Sequence, residues 1–85
     1  MTIIKTVDFE KAFNKLPQEI QRLVHRQEIC FLENPYDSRL HRKKLRGPED
    51  IFSLRVTRNY RILYHFEDLD TAIWFKISHR KDVYR

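Results

Sequence analysis

Between residues 52 and 78 the sequence contains three runs in which apolar and polar side chains alternate, and this pattern constrains the fold most. Because successive side chains of a β-strand point to opposite faces, a period of two predicts adjacent strands. One face of the sheet is expected to be apolar, with Phe52, Leu54, Ile62, Tyr64, Ile73, Phe75 and Ile77. The opposite face is expected to carry Ser53, Arg55, Arg61, His65, Trp74, Lys76 and Ser78. A core needs only the first face, so the basic second face predicts a surface that binds a polyanion.

The segment before this sheet predicts one further strand and two helices. Residues 2–7 are β-branched and alternating, which indicates an N-terminal strand. Apolar residues then recur at helical spacing, with Asp8 as the expected N-cap of the first helix and Pro17 in the first turn of the second. Short connections between the later strands imply an antiparallel meander. We therefore predict a single α+β domain over residues 1–85, with two layers, the order β-α-α-β-β-β, and two helices packed on one face of a mainly antiparallel four-stranded sheet.

Residues 36–50 are predicted to form a loop or an irregular arm. Gly47, the only glycine in the chain, is expected to supply a positive φ or a close backbone approach. The arm also contains basic side chains, namely Arg39, His41, Arg42, Lys43, Lys44 and Arg46. Such a run is typical of a solvated loop and equally of an arm that grips phosphates without reading sequence. Charge alone does not decide between the two.

Charge and cysteine content limit the class of protein. Residues 1–38 hold five Lys/Arg and six Asp/Glu, whereas residues 39–85 hold twelve Lys/Arg and six Asp/Glu. The basic charge therefore coincides with the predicted sheet, which favours nucleic acid as the partner. Cys30 is the only cysteine, so an internal disulfide is excluded, and we expect it to be a buried small hydrophobe. No apolar run is long enough to span a membrane, and we expect a cytoplasmic protein.

The common catalytic patterns are missing from the sequence. The histidines and Cys30 show no metal-ligand spacing, a single glycine cannot form a phosphate-binding loop, and no paired carboxylates stand out. The basic face suits metal-independent RNA cleavage, in which a 2′-hydroxyl attacks the adjacent phosphate. Guanidinium groups would stabilise the phosphate, a histidine would carry protons, and Trp74 and Tyr84 would stack on splayed bases. The alternative is a basic face that binds nucleic acid without chemistry.

Four stretches of the sequence resemble the RelE/ParE toxin superfamily, and more narrowly its RelE branch. They are Lys44–Gly47, Ser53–Val56, Tyr60–Tyr64 and the ending Ile77–Tyr84. The order of the predicted elements also matches along the whole chain. The resemblance implies the toxin of a type II toxin–antitoxin system. Such a toxin cleaves mRNA in the ribosomal A site without a metal or cofactor, and a cognate antitoxin protein neutralises it.

The resemblance also implies roles for individual side chains. Arg55 would accept a proton or contact the phosphate, and Arg61 would stabilise the phosphate. Arg80 would donate a proton, and Tyr84 would stack on the mRNA base and orient it. The basic face and arm supply further expected contacts to RNA phosphates, from Lys43, Lys44, Arg46, Arg58, Lys76 and Lys81.

The chain departs from the RelE pattern on its first central strand. RelE carries two lysines there, whereas this sequence has Ser53 and Arg55. The change weakens phosphate binding and makes general-base work harder, because arginine hardly loses its proton. His79, which adjoins Arg80, is the expected replacement, with His65 as the second choice. The ParE branch shares the fold and inhibits DNA gyrase without cutting RNA. A ParE-like toxin and an inactive RNA-binding module are therefore the alternatives.

Overall fold

The structure is a computed structural model that describes residues 1–83 of the chain. Its elements are β1 (Thr2–Lys5), α1 (Val7–Asn14), α2 (Gln18–Glu33), β2 (Lys43–Lys44), β3 (Phe52–Arg55), β4 (Tyr60–Asp68) and β5 (Thr71–His79). A single 3₁₀ turn, Ser38–Leu40, lies between α2 and β2. These elements confirm the predicted α+β class and the predicted order of helices and strands.

The strands form one sheet of five in the order β1-β5-β4-β3-β2. β1 runs parallel to β5, and the remaining neighbours are antiparallel. The additional strand, β2, falls in the arm that the sequence predicted to be irregular. Two consecutive lysines carry no alternation of apolar and polar residues, so the pattern gave no indication of this strand. Gly47 does have the expected positive φ, at 133°.

Both helices begin at a different residue from the predicted one. Thr6, rather than Asp8, is the N-cap of α1, and its Oγ1 accepts a hydrogen bond from the Phe9 N–H at 3.1 Å. Asp8 lies inside the first turn, where its carboxylate interacts favourably with the positive end of the helix dipole. Pro17 is the N-cap of α2 and not part of its first turn. These differences of one or two residues leave the packing of the helices unchanged.

The helices cover one face of the sheet with an aromatic core. The ring centre of Phe31 on α2 lies 5.1 Å from that of Tyr64 and 5.5 Å from that of Trp74. Phe9 on α1 lies 5.9 Å from Trp74. Cys30 is buried among the core residues, as expected, and burial raises the pKa of its thiol.

A β-bulge in β5 corrects the predicted faces of this strand. Leu63 pairs with Lys76, but the next residue, Tyr64, pairs with Trp74, so Phe75 is an extra residue on β5. An extra residue reverses the alternation on one side of the bulge. Trp74 is therefore buried in the helix-facing core, together with Ala72. The prediction that Trp74 lies on the basic face and stacks on RNA bases is wrong.

The bulge also moves two predicted core residues to the other side. Ile73 pairs with His65, which belongs to the outer face of β4, and the Phe75 ring centre lies 5.7 Å from that of His65. Both Ile73 and Phe75 are only partly buried. The predicted core positions Phe52, Leu54, Ile62, Tyr64 and Ile77 do belong to the core cluster or pack against it.

Candidate nucleic-acid interface

Two arginines lie opposite each other on the outer face of the sheet, away from the helices. Arg55 on β3 pairs with Arg61 on β4, and Arg61 pairs in turn with Ser78 on β5. Residues that are directly opposed in an antiparallel pair have Cβ atoms about 5 Å apart, and like charges at such positions repel each other. A bound anion would relieve that repulsion, so this pair is suited to a phosphate.

Arg55 is held by its neighbours through the backbone and not through its charge. Its carbonyl accepts a hydrogen bond of 2.6 Å from the Gln27 side-chain amide of α2. The Arg55 Nε is buried and has no hydrogen-bond partner within residues 1–83. A buried donor without an acceptor is costly, and its presence here is consistent with a ligand that supplies the acceptor.

The guanidinium of Arg61 is fixed against the turn between β3 and β4. Its Nη1 donates to the carbonyl oxygens of Thr57 at 2.7 Å, Arg58 at 3.1 Å and Tyr60 at 3.2 Å. These bonds orient one edge of the planar group, because a guanidinium presents its donors in a rigid fork. Sequence reasoning placed Arg61 on this face but gave no indication of the carbonyl contacts.

The residues after β5 return to the same turn. The Arg80 N–H donates to the Asn59 carbonyl at 2.7 Å, which places Arg80 at the end of the sheet that carries Arg61. Arg80, Arg58 and Lys81 are all exposed there. The structure thus brings together several of the predicted basic residues around the Arg55–Arg61 pair. Tyr84 lies outside the described residues.

His79 lies on the other side of the sheet from the arginine pair. It pairs with Tyr60, and the two ring centres are 5.7 Å apart. By alternation, Tyr60 and His79 share the side of Ile62 and Ile77, which is the helix-facing side, whereas Arg61 lies on the outer side. The Nδ1 of His79 also accepts a hydrogen bond of 3.2 Å from the Lys81 N–H. His79 therefore lies behind the arginine pair at the sheet's end.

A second row of side chains lies beside the arginine pair on the outer face. Lys43 pairs with Ser53, Ser53 with Leu63, and Leu63 with Lys76, so this row crosses four strands. It follows the Arg55–Arg61–Ser78 row at a distance of two residues along each strand, which is about 6–7 Å. The two rows together give this face the basic character that the alternation predicted.

A groove of about 590 Å³ opens over the second row and is called the cationic groove here. Its lining residues are Lys43, Lys44, Leu45, Arg46, Ile51, Leu63, Phe75, Lys76 and Val83. Leu63 and Val83 are buried and form part of an apolar floor. Sequence reasoning predicted RNA contacts from the lysines and Arg46 but missed Phe75, because it placed Phe75 in the core.

Arg42, in contrast, is partly buried and packs against aromatic rings on the helix-facing side of the sheet. Its guanidinium carbon lies 4.7 Å from the ring centre of Tyr36 and 4.1 Å from that of Phe52. Its Nε donates to the Tyr64 hydroxyl at 3.1 Å. This gives the buried Tyr64 hydroxyl the partner it needs and fixes the arm just before β2. Lys43 and Lys44 are thereby held next to the groove.

The largest pKa shift in the acidic range lies away from this face. Hydrogen bonds from Arg39 lower the pKa of Asp37 to about 2. The pair is an exposed ion pair with an N–O distance of 2.9 Å at the 3₁₀ turn. Within residues 1–83 there is no group of three His, Cys, Asp or Glu side chains able to hold a metal ion. None of the helices in that range is long and apolar enough to cross a bilayer.

The fold has clear counterparts among solved structures. A YoeB/ParE toxin from Agrobacterium tumefaciens aligns over 94% of this chain and 99% of its own, with a TM-score of 0.79 and 12% identity. The toxin of the RelBE2 toxin–antitoxin complex from Mycobacterium tuberculosis aligns over 93% and 96%, with a TM-score of 0.76 and 28% identity. The chain has the fold of the RelE/ParE toxin superfamily.

Another solved structure that this fold matches is archaeal. In the RelE–RelB complex from Pyrococcus horikoshii OT3, the match covers 95% of this chain and 96% of that chain, with a TM-score of 0.78 and 20% identity. Neither a protein-family model nor a curated protein matches the sequence. The resemblance seen in the residues is thus confirmed at the level of three-dimensional structure.

Proposed function

We propose that this protein is the toxin of a type II toxin–antitoxin system and cuts mRNA in the ribosomal A site. The observation that carries the proposal is the opposed pair Arg55 and Arg61 on the outer face of a RelE-like sheet. Directly opposed like charges repel each other, and an anion bound beside them relieves that repulsion. A phosphate of the RNA backbone supplies that anion.

The proposed reaction is the attack of a 2′-hydroxyl on the adjacent phosphate. The phosphate gains charge in the transition state, and the guanidiniums of Arg55 and Arg61 stabilise it through charge-assisted hydrogen bonds. The Arg61 group is already oriented by three carbonyl oxygens, so little reorganisation is needed on reaction. The 5′-oxygen leaves as the P–O bond breaks and takes up a proton, for which Arg80 at the sheet's end is the proposed donor. Tyr84 is proposed to stack on a base.

The proton that leaves the 2′-hydroxyl needs an acceptor. Arg55 is the group carried over from the RelE pattern, although a guanidinium is a poor base. His79 is the better proton carrier by chemistry, but it shares the Tyr60 side of the sheet. We therefore assign phosphate binding to Arg55, and the proton of the 2′-hydroxyl is proposed to pass to solvent water. A change of His79 to Ala that removes cleavage while RNA binding is retained would instead identify His79 as the base.

The test is cleavage of an actively translated mRNA, read by primer extension. Arg61→Ala is expected to slow cutting roughly 10²-fold or more, since it removes stabilisation of the transition-state charge. Arg22→Ala is the matched control, because Arg22 is an exposed arginine of α2 in the opposite layer. Equal cleavage rates for wild type and Arg61→Ala would contradict the assignment of this site.

We further propose that a cognate antitoxin covers the basic face in the cell. One of the counterparts, RelBE2, is a toxin–antitoxin complex, and the archaeal one is a RelE–RelB complex. A basic face attracts an acidic segment that folds on contact. Affinity purification from the native host should recover the toxin with a small acidic partner whose gene is adjacent. Recovery of the bare monomer would contradict this.

A gyrase-inhibiting toxin is the second candidate, because the YoeB/ParE toxin from Agrobacterium tumefaciens has the same fold over 94% of the chain. In that case DNA supercoiling by gyrase would be inhibited and translated mRNA would stay intact. A third outcome, RNA binding with neither activity, would mark a binding module. Running the supercoiling and cleavage assays on one preparation distinguishes all three.

A further inference from the structure

We propose that the cationic groove seats a nucleobase of single-stranded RNA, with the ring of Phe75 as the stacking surface. The inference rests on the proposed function to the extent that the arginine pair holds a backbone phosphate of the same strand. It adds a base-binding position to the face that holds this phosphate. It also identifies a side chain that the alternation pattern assigned to the core.

The β-bulge is what places Phe75 at this position. Because Phe75 is the extra residue between Trp74 and Lys76, it turns away from the core that holds Trp74. Phe75 is partly exposed and lines the groove, next to Lys76. β-Bulges often re-aim a side chain beside a functional site. An aromatic ring at the floor of a basic groove can stack on any base, because every base has a π-face.

The groove combines an apolar floor with a basic rim. Leu63 and Val83 lie at its floor, and Lys43 and Lys76 end the row of residues that crosses it. No acidic side chain within residues 1–83 lines it directly, and Asp50 forms an exposed ion pair of 3.0 Å with the rim residue Lys44. The groove therefore has the complementarity that a nucleotide needs, with apolar contact for the base and positive charge for the phosphates. A volume of about 590 Å³ is within the range of small-ligand sites.

The groove also has the right place along the strands. The Leu63–Lys76 row follows the Arg61–Ser78 row by two residues on the same face. That step of about 6–7 Å brings a base beside the phosphate at the arginine pair within reach of Phe75. The RNA strand would then run along β4 and β5, from the turn that holds Arg61 towards His65. Stacking here would be tolerant of base identity.

The experiment measures binding of a dye-labelled 2′-O-methyl RNA hexamer, which cannot undergo 2′-hydroxyl attack, by fluorescence anisotropy. Phe75→Leu keeps apolar volume but removes the aromatic face, and we expect about tenfold weaker binding. Phe75→Tyr should bind like wild type. Ile73→Ala is the matched control, because Ile73 is a half-buried outer-face residue that does not line the groove. It should also bind like wild type.

Two comparisons separate stacking from phosphate contact. The first comparison uses a series of hexamers, each of which lacks the base at one position. At one of these positions, the missing base should weaken wild-type binding about tenfold and abolish the difference in affinity between wild type and Phe75→Leu. Phe75→Leu should leave the slope of log affinity against log salt unchanged. Lys76→Gln should reduce that slope by about 0.7, the value for one phosphate of a single strand.

Equal binding of the intact hexamer by wild type and Phe75→Leu would overturn the proposal. The same holds if the loss persists with every abasic hexamer, or if wild type shows no measurable binding. To guard against an effect on folding, the ring signals of Phe75 are followed by NMR in the unaltered chain. They should shift with the intact hexamer and not with the critical abasic one, and unchanged signals with both would overturn the proposal.

Failure of this proposal is distinguishable from failure of the proposed nuclease. If the unaltered chain leaves translated mRNA intact but Phe75→Leu still weakens hexamer binding, the base-binding site is supported and the proposed nuclease activity is contradicted. If Arg61→Ala abolishes cleavage while Phe75→Leu binds the hexamer as wild type does, the nuclease activity is supported and the base-binding site is contradicted.

Discussion

The two faces of the sheet use the same strands but hold their arginines in different ways. On the helix-facing side, the Arg42 guanidinium lies against the Tyr36 and Phe52 rings and donates to the Tyr64 hydroxyl. On the outer side, Arg55 and Arg61 are opposed to each other. Arg42 is satisfied by groups within the protein and therefore acts in folding. The opposed charges of the outer pair favour a bound anion, and that difference supports the outer face as the candidate binding face.

The largest effect should come from the helix-facing side. Trp74→Ala removes the ring that contacts both Phe9 and Phe31, and we expect the free energy of unfolding to fall by about 3–5 kcal/mol. For a domain of this size, that loss is a large part of the total stability. Urea titration followed by circular dichroism measures it.

Two variants sharpen this prediction. Ile73→Ala, one residue earlier on the outer face, should cost about 1 kcal/mol or less, since Ile73 is only partly buried. Trp74→Phe should cost much less than Trp74→Ala, because it also removes the buried indole N–H, which has no acceptor in the described part of the chain. A larger loss for Ile73→Ala than for Trp74→Ala would mean that β5 has no bulge.

The second effect concerns the arginine inside the aromatic cluster. Arg42→Met keeps the length of the side chain but removes its charge and its hydrogen bond to Tyr64. We expect a loss of about 1–2 kcal/mol in unfolding free energy. Amide hydrogen exchange at Lys43 and Lys44 should also become faster, because Arg42 fixes the arm that leads into β2. Unchanged exchange there would show that the arm is held without Arg42.

Sequence reasoning predicted the faces of β3 and β4 correctly and failed on residues 73–75 of β5. Alternation identifies a face only where polar and apolar residues differ, and Ile73, Trp74 and Phe75 are all apolar. The pattern therefore could not show which of them the bulge turns outward. Pairing with Tyr64 and contact with Phe31, which are distant in sequence, bury Trp74 and leave Phe75 outside.

The candidate site was predictable to a similar degree. Arg55 and Arg61 were assigned to one face because each lies one position from a core residue of its strand. The carbonyls that orient Arg61 were not predictable, since they belong to the conformation of the turn at residues 57–60. Sequence reasoning chose His79 because it adjoins Arg80, but adjacent residues of a strand point to opposite faces, so the side of His79 was not predictable from that choice.

The third effect is expected on the outer face and has the opposite sign. Arg55→Met removes one of two opposed charges and a buried Nε that has no partner within residues 1–83, so the free chain should become more stable by up to about 1 kcal/mol at low salt. The gain should shrink as salt screens the repulsion in the wild type. Urea titrations at low and high ionic strength measure both. A loss of stability at both salt concentrations would show that Arg55 contributes to folding, as Arg42 does.

The smallest effect arises at a third kind of arginine, one paired with a carboxylate. Arg39 hydrogen bonds lower the pKa of Asp37 to about 2, below the ordinary value of 3.8. A carboxyl whose pKa is lower in the folded state stabilises the fold above its unfolded pKa, and the contribution is lost as pH falls from about 4 to 2. Asp37→Asn should therefore flatten the curve of unfolding free energy against pH in that window, and only slightly, because the pair is exposed and screened.

Arg55→Met is the control for this prediction. It should leave the shape of the curve in this window unchanged, since arginine does not titrate there. An acid dependence that followed Arg55 would mean that a carboxylate, and not an RNA phosphate, is the partner of the outer pair.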